Sequence, residues 1–260
     1  MENELTIDTE AIQVWKMRGV QRLQEKVIRE EPINIYLNDT HIVTLLALPE
    51  KHKALSIGHL LSEGIIKNLD EVKDIECDGN TVQVTIPNLK LGRIKAYRTL
   101  KLVTTACGST SEYLRLLDSM DPPKAASGLQ LPSSILLEMR RRMPRTKFPV
   151  HIAALFRSDA TRISFAEDVG RHNAVDKVIG EVSLSKQLFS DLTLISSGRV
   201  PADMILKAAR VGLPIVGSFS GPVSSGVLFA KKSNVTLISF LRRNRLTIYS
   251  HFRRITLPPE

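Results

Sequence analysis

Apolar and polar positions follow two different periods along the chain, and the change of period divides it. Between residues 11 and 48 the spacing is close to two, and VQRLQEKVI, INIYLND and HIVTLLAL read as strands. The Asn38-Asp39 pair marks a turn between the second and third, and Pro32 opens the second behind Glu30 and Glu31. A helical pattern from His52 to Leu61 ends in Ser62-Glu63-Gly64, with Gly64 suited to the left-handed cap. Residues 69 to 86 predict two strands around the turn Asp78-Gly79-Asn80. Leu102 to Thr105 read as a β-type run, and a helical pattern follows from Ser111.

Asp121 to Pro132, DPPKAASGLQLP, has no periodicity and the composition of a linker. Ser133 or Ser134 is placed to cap a helix that runs through Arg142 and stops at Pro144. Beyond Phe148 strands and helices alternate: VHIAALF and RISF as a hairpin, the stretch Phe165 to Gly180 containing a helix, then DLTLISS, VPADMILKAARVG, PIVGSFS, PVSSGVLFAKKS and VTLISFL. That order predicts a parallel sheet with right-handed crossovers and helices on both faces. The expected class is α/β, with a β-rich α+β N-terminal domain over residues 1–125 and an α/β ligand-binding domain over 126–260.

Phe165 to Gly180, FAEDVGRHNAVDKVIG, stands apart from an ordinary amphipathic helix. Val169, Ala174, Val175, Val178 and Ile179 can form its apolar stripe, which leaves Arg171, His172, Asn173, Asp176 and Lys177 for another purpose or for a solvated face. Glu167 and Asp168 are expected at the helix N-terminus, where the dipole favours carboxylates.

Composition narrows the possibilities. A length of 260 residues with 43% hydrophobic and 24% charged content fits a globular protein with a substantial core. No apolar run has the length of a membrane span and the acidic N-terminus is no signal peptide, so no membrane partner and a cytoplasmic location are expected. The net charge of +9 is concentrated in Arg140–Arg142, Arg145 and Lys147, and in Arg242, Arg243, Arg245, Arg253 and Arg254. Aromatic residues, at 5%, do not interleave with these, and nothing specific supports nucleic acid as a partner.

The two cysteines cannot form a disulfide framework and read as reduced thiols. Cys77 lies among carboxylates that raise a thiol pKa. Cys107 lies in Ala-Cys-Gly-Ser-Thr ahead of the helical pattern from Ser111, a setting that lowers a thiol pKa, although a buried apolar cysteine would read the same way. Two loops suit an anion, Ser196-Ser197-Gly198-Arg199 and Ser220-Gly221-Pro222 with Ser224 and Ser225, each following a strand and opening a helix. Helix capping accounts for either loop alone. Zinc hydrolysis of the deaminase type is excluded, because His151 is followed by Ile152 and Ala153 and the second half holds no cysteine.

E-D-V-G-R-H-N-A-V-D-K-V-I-G resembles the central signature of the FdhD family, the formate dehydrogenase accessory sulfurtransferases. E-E-P-I-N-I, A-L-S-I-G-H-L-L-S-E-G-I-I, S-G-R, K-A-A-R-V-G-L-P-I and Y-S-H resemble further family blocks in the same order, from about Glu30 to His251. The resemblance implies a C-terminal three-layer domain of cytidine deaminase fold. It implies a sulfur-carrying cysteine at Cys107, loaded as a persulfide by a cysteine desulfurase. It further implies a molybdenum (or tungsten) bis-pterin guanine dinucleotide as bound client, without zinc, and formate dehydrogenase as recipient. A symmetric homodimer is expected on the same ground. The family's Cys-x-x-Cys pair is incomplete, since its second position is Thr110. One thiolate suffices to accept and pass on a sulfane sulfur, but it cannot close an intramolecular disulfide.

The tail Leu246, Thr247, Ile248, Tyr249, Ser250 and His251 matches the stretch implicated in cofactor binding in the family. Ser197, Gly198, Arg199, Ser220, Arg171 and His172 complete the candidate cofactor site, with Lys177 a further candidate for phosphate contact and Asp176 for proton transfer. A chaperone that binds the guanine dinucleotide without moving sulfur is the alternative, which the missing second cysteine supports. A nucleotide-processing enzyme ranks last for want of metal ligands.

Overall fold

A computed structural model describes residues 5–15, 19–105, 121–125 and 128–258. Cys107, Thr110 and the helical pattern from Ser111 lie outside these described residues.

The chain opens with an antiparallel hairpin, β1 (Thr6–Trp15) and β2 (Gly19–Ile28). The sequence pattern anticipates the second of these strands and passes over the first. A four-stranded sheet follows, from β3 (Glu31–Leu37), β4 (Thr40–Ala47), β5 (Asp74–Asp78) and β6 (Thr81–Thr85), in the order β4-β3-β6-β5. Its two hairpins turn where the sequence predicts, at Asn38 and Gly79, both with positive φ. Ile33, Ile35, Leu37, Val82 and Val84 alternate inward from β3 and β6. They meet α1 (His52–Ser62), which is buried at every residue from Ala54 onward. Gly64 closes that helix at φ 73°.

Next comes α2 (Leu91–Thr105). Leu102 to Thr105, expected as a β-type run, are its last turn. The β-branched residues there extend a helix already nucleated from Leu91 and anchored by buried Ile94 and Tyr97, and elongation outweighs a weak local propensity.

The C-terminal part begins with β7 (Leu131–Pro132) and α3 (Ser133–Arg142). Pro132 precedes α3 and no side-chain cap bond forms, so neither Ser133 nor Ser134 plays the role expected of it. The remaining elements are β8 (His151–Phe156), β9 (Arg162–Asp168), α4 (Arg171–Leu184), β10 (Thr193–Ser196), α5 (Ala202–Arg210), β11 (Ile215–Ser218), α6 (Ser224–Lys232), β12 (Thr236–Ser239), β13 (Thr247–Ile248) and β14 (Ile255–Thr256), the last paired with β7.

The large sheet runs β13-β12-β11-β10-β8-β9. Only β10, β11 and β12 are mutually parallel; β8, β9 and β13 run antiparallel to their neighbours. The β8–β9 hairpin is as the sequence predicts; the antiparallel pairings of β8 with β10 and of β13 with β12 correct the expectation of a parallel sheet. A tight turn, in which Arg157 N–H donates to the Thr161 carbonyl, reverses β8 into β9, and another at Arg242–Arg245 reverses β12 into β13. Alternation along these strands serves two layers. Ile152, Ala154, Phe156, Ile195, Ile215 and Ile238 pack with Leu136 and Met139 of α3. Ala153, Leu155, Leu194, Val216 and Leu237 face the α4–α6 side, in a cluster that continues through α1 to the N-terminal sheet. The result is a mixed α/β architecture.

The hinge of this arrangement is the crossing of α1 on α4. A Cβ on Gly58 would fall on the Asp176 carbonyl, and one on Gly180 would fall on the Ala54 carbonyl. The two backbones touch, and only glycine allows it. Among the described residues no helix is long and apolar enough to cross a membrane.

Candidate functional site

The polar residues of Phe165–Gly180 divide into groups with different tasks. Glu167 and Asp168 do not open the helix as expected; they close β9, and Gly170 takes the cap position. Buried Asp168 accepts from Leu48 N–H (3.1 Å), Gly170 N–H (2.9 Å) and Asn173 Nδ2 (2.9 Å), and pairs with Lys177 Nζ at 2.8 Å. Lys177 also donates to the Leu48 and Glu167 carbonyls, and Asn173 to Leu46. These residues therefore clamp the end of β4 onto α4. Lys177 is fully buried in that clamp, which corrects its reading as a phosphate contact.

Asp176, the residue before Lys177, forms a second buried ionic centre. Lys207 of α5 places Nζ 2.9 Å from both Asp176 oxygens, 2.9 Å from Ser62 Oγ and 2.9 Å from Glu63 Oε1. Burial penalises the Asp176 charge, but Lys207 and His59 outweigh it and hold the carboxyl below its usual range. Burial opposes the Lys207 ammonium too, and Asp176 and Glu63 raise it above its ordinary value. His59 Nδ1 lies 3.1 Å from Asp176, and His59 Nε2 lies 3.1 Å from the Tyr97 hydroxyl. Burial, then Glu63 and Asp176, push that phenol well up. Three helices of the core are thus joined to α2, the helix that leads toward Cys107. The centre borders a cavity of about 220 Å³, also lined by His172 and Asp203, whose side chains approach to 3.1 Å.

The two predicted anion loops sit at the carboxyl ends of β10 and β11, side by side. The hydroxyls of Ser196, Ser197 and Ser220 are engaged within the chain. Ser197 Oγ accepts from Ile152 N–H (3.0 Å), Ser218 Oγ donates to the Gly198 carbonyl (2.6 Å), and Ser220 Oγ donates to the Ser197 carbonyl (2.8 Å). Gly198 N–H, expected free for an anion, bonds Ser196 Oγ at 3.2 Å. The Arg171 side chain covers Gly198, where an added Cβ would lie 2.8 Å from Arg171 Cβ. Its Nε is buried without a partner, and Arg199 is exposed. His151 Nδ1 is 3.3 Å from Ser197 Oγ. Burial lowers the His151 pKa, and Arg171 and His172 lower it further. Arg171, His172, Ser197, Gly198 and Ser220 are therefore gathered as one group, with His151 added to it.

The tail is not gathered with them as a unit. Leu246 and Ile248 pack on the α3 side and Tyr249 on the other. Thr247 pairs with Ser239 at the carboxyl end of β12, but the chain then runs antiparallel toward the amino end of that strand. There Ser250 Oγ donates to the Val235 carbonyl (2.7 Å) and accepts from Leu237 N–H (2.9 Å). His251 Nε2 lies 3.2 Å and 3.0 Å from the last carbonyls of α6. The structure thus separates Ser250 and His251 from the Ser197 and Ser220 loops by the length of the strand.

Sequence reading missed one assembly. Arg140, Arg141, Arg145 and Arg243 converge on a cavity of about 520 Å³ beside Phe219 and Ile152. Both arginine runs are visible in the sequence; their meeting depends on the fold. Among the described residues no group of His, Cys, Asp and Glu could hold a metal ion.

Comparison with known proteins agrees with this architecture. A formate dehydrogenase accessory protein from Desulfotalea psychrophila has a solved structure that superimposes with a TM-score of 0.75 at 28% identity, covering 97% of this chain and 100% of that one. The sulfur carrier protein FdhD of Listeria monocytogenes is 31% identical over 245 residues, 91% of this chain and 94% of its own. FdhD of Methanothermobacter thermautotrophicus is 31% identical over 90% of this chain and 93% of its own. The FdhD/NarQ family model matches residues 28–256. The chain belongs to the FdhD/NarQ family.

Proposed function

We propose that this protein carries sulfur to the molybdenum (or tungsten) bis-pterin guanine dinucleotide of a formate dehydrogenase, using Cys107 as the carrier. The observation that carries the reading is near full-length similarity to proteins named sulfur carriers in a chain with only two cysteines, of which Cys107 follows α2 in sequence within the family-matched residues 28–256. Cys77 is exposed on β5, 3.7 Å from the Gly79 carbonyl, with His52 Nδ1 at 3.9 Å.

The Cys107 thiolate attacks the outer sulfur of a persulfide on a cysteine desulfurase. A new S–S bond forms, the desulfurase thiolate leaves, and Cys107 holds a persulfide. Delivery breaks that S–S bond. The sulfane sulfur takes up two electrons from an external thiol or other reductant, becomes a sulfide ligand of the cargo, and leaves Cys107 as thiolate. Arg171, which lies against Gly198 with its Nε buried and unpartnered, favours an anionic cargo at the strand ends. Thr110, where the family has its second cysteine, favours a second reading, a chaperone that holds the cargo without moving sulfur.

Complementation separates the two. In cells lacking their own FdhD, the wild-type chain restores formate dehydrogenase activity and Cys107→Ala does not. Full activity with Cys107→Ala establishes the chaperone reading instead.

A further inference from the structure

A cavity of about 640 Å³ lies where the C-terminal ends of α1, α4 and α5 meet. Phe189 and Val211, in its wall, precede β10 and β11, so it sits at the amino ends of those strands. The Ser197 and Ser220 loops stand at their carboxyl ends, a strand's length away. Leu61, Leu69 and Val72 complete an apolar wall. Around it are three cations, Lys67, Lys186 and Arg210, against one carboxylate, Asp70, among the described residues.

Helix capping does not account for these cations. The last carbonyls of the three helices are taken by backbone N–H groups: Leu60 and Leu61 by Ile65 and Gly64, Val182 and Ser183 by Gln187 and Lys186, Ala208 and Ala209 by Leu213 and Gly212. Arg210 Nη1 donates to the Ser62 carbonyl at 2.7 Å and lies 3.7 Å from Glu63. Among the described residues the rest of that guanidinium bonds nothing, and the Lys67 and Lys186 side chains have no ion-pair partner. Ser183 also lines the cavity, and its buried Oγ is unpartnered, whereas Ser185 donates to the Glu181 carbonyl in the usual helical manner.

The backbone singles out Lys186. Four helices, α1, α4, α5 and α6, close on a residue at positive φ: Gly64 at 73°, Lys186 at 54°, Gly212 at 83° and Asn234 at 55°. Glycine and asparagine suit that position, and a lysine there is strained. The exception holds a long cation at the cavity in spite of that cost.

We propose that this cavity binds a small organic carboxylate, its apolar body against Leu69, Val72 and Phe189 and its carboxylate accepting from Arg210 and Lys186. The volume is that of a small-ligand pocket. The site stands on these residues and does not depend on the sulfur-carrier reading.

The test is fluorescence titration of the full chain with anilinonaphthalene sulfonate, an aryl anion, followed by displacement with octanoate. The proposal expects one saturable site, displaced by octanoate and not by octanol, and much weaker binding of uncharged phenylnaphthylamine. Reversing two exposed charges, Lys67→Glu with Lys186→Glu, weakens the anion by roughly 10-fold or more. Lys186→Gly relaxes the left-handed turn, so Tm holds or rises while affinity falls by roughly 2- to 5-fold, a combination that a merely structural lysine does not give. Leu69→Trp fills the cavity and abolishes displaceable binding; should it fold poorly, the Lys186 variants carry the test. Arg243→Ala, and Arg22→Glu beside exposed Ile12 on the β1–β2 hairpin, leave affinity unchanged. Wild-type affinity in the Lys186 variants, loss confined to Arg22→Glu or Arg243→Ala, equal binding of the uncharged probe, or no octanoate-displaceable binding overturns the site.

Discussion

Replacing Lys207 with Met asks whether the buried ionic centre is ionised and holds α5, α4 and α1 together. Lys207 and Asp176 have side chains 2% and 1% exposed, and Glu63 is 8% exposed. The ammonium meets both Asp176 oxygens, Ser62 and Glu63, all at 2.9 Å. Its removal leaves buried Asp176 without its cation and Glu63 with Arg210 at 3.7 Å, and a buried pair broken on one side costs about 3–5 kcal/mol. For a chain of this size each kcal/mol lowers Tm by about 2–4 °C, giving a fall of roughly 6–20 °C at pH 7. The pH dependence carries a sign. The Asp176 carboxyl is depressed in the fold, so its stabilisation is present above the unfolded value near 4 and fades as pH falls through the folded value. The Lys207 contribution is present below about pH 10 and fades as pH rises through its raised folded value. Calorimetric melts at pH 7 and pH 4 should therefore show the largest gap at neutrality and a smaller one in acid, where protonation relieves the uncompensated Asp176 carboxylate of the variant. A fall of less than about 2 °C at pH 7 refutes the reasoning, because it means the pair is not what joins these helices.

Gly180→Ala sets a methyl against the Ala54 carbonyl, and α1 must lift from α4. Overpacking of a core costs about 1–3 kcal/mol when the neighbour can yield, and backbone cannot, so we expect at least that loss in urea unfolding or no soluble protein. Tyr97→Phe removes the partner of His59 Nε2 and loosens α2; it should lower the urea midpoint by the equivalent of about 1–3 kcal/mol at unchanged m. Cys77→Ala should leave sulfur loading intact, read by mass, since Cys77 stands on an exposed hairpin remote from α2 in sequence.

Much of this fold is legible because its punctuation is local. Asn38, Gly64 and Gly79 sit at positive φ where turn chemistry demands it, and the strand–helix alternation after Phe148 follows the hydrophobic period. Strand direction is not local. The β8–β9 hairpin is legible from its two short runs, but nothing in the period of β8 or β13 reports that β8 runs against β10 or that the Arg242–Arg245 turn sends β13 back along β12. The site was legible in the same measure. Arg171, His172, Ser197, Gly198 and Ser220 come together because strand ends and helix starts are predictable, whereas Ser250 and His251 fall at the opposite end of an antiparallel strand. Charged residues on α4 read as a solvated or functional face until their partners are known. Lys177 and Asp176 are buried because Asp168 and Lys207, distant in sequence or on another element, neutralise them. The arginine cavity escaped for the same reason: two basic runs are obvious, and their convergence is a property of the sheet.

The central claim is that Cys107 carries sulfur, and intact mass tests it most directly. Wild type, Cys77→Ala and Cys107→Ala are incubated with an active cysteine desulfurase and cysteine, then weighed before and after reduction. The account predicts a gain of one sulfur atom in wild type and Cys77→Ala, lost on reduction and absent from Cys107→Ala. A gain that persists in Cys107→Ala, or no gain in the wild type beside a desulfurase shown to dock and turn over, contradicts it.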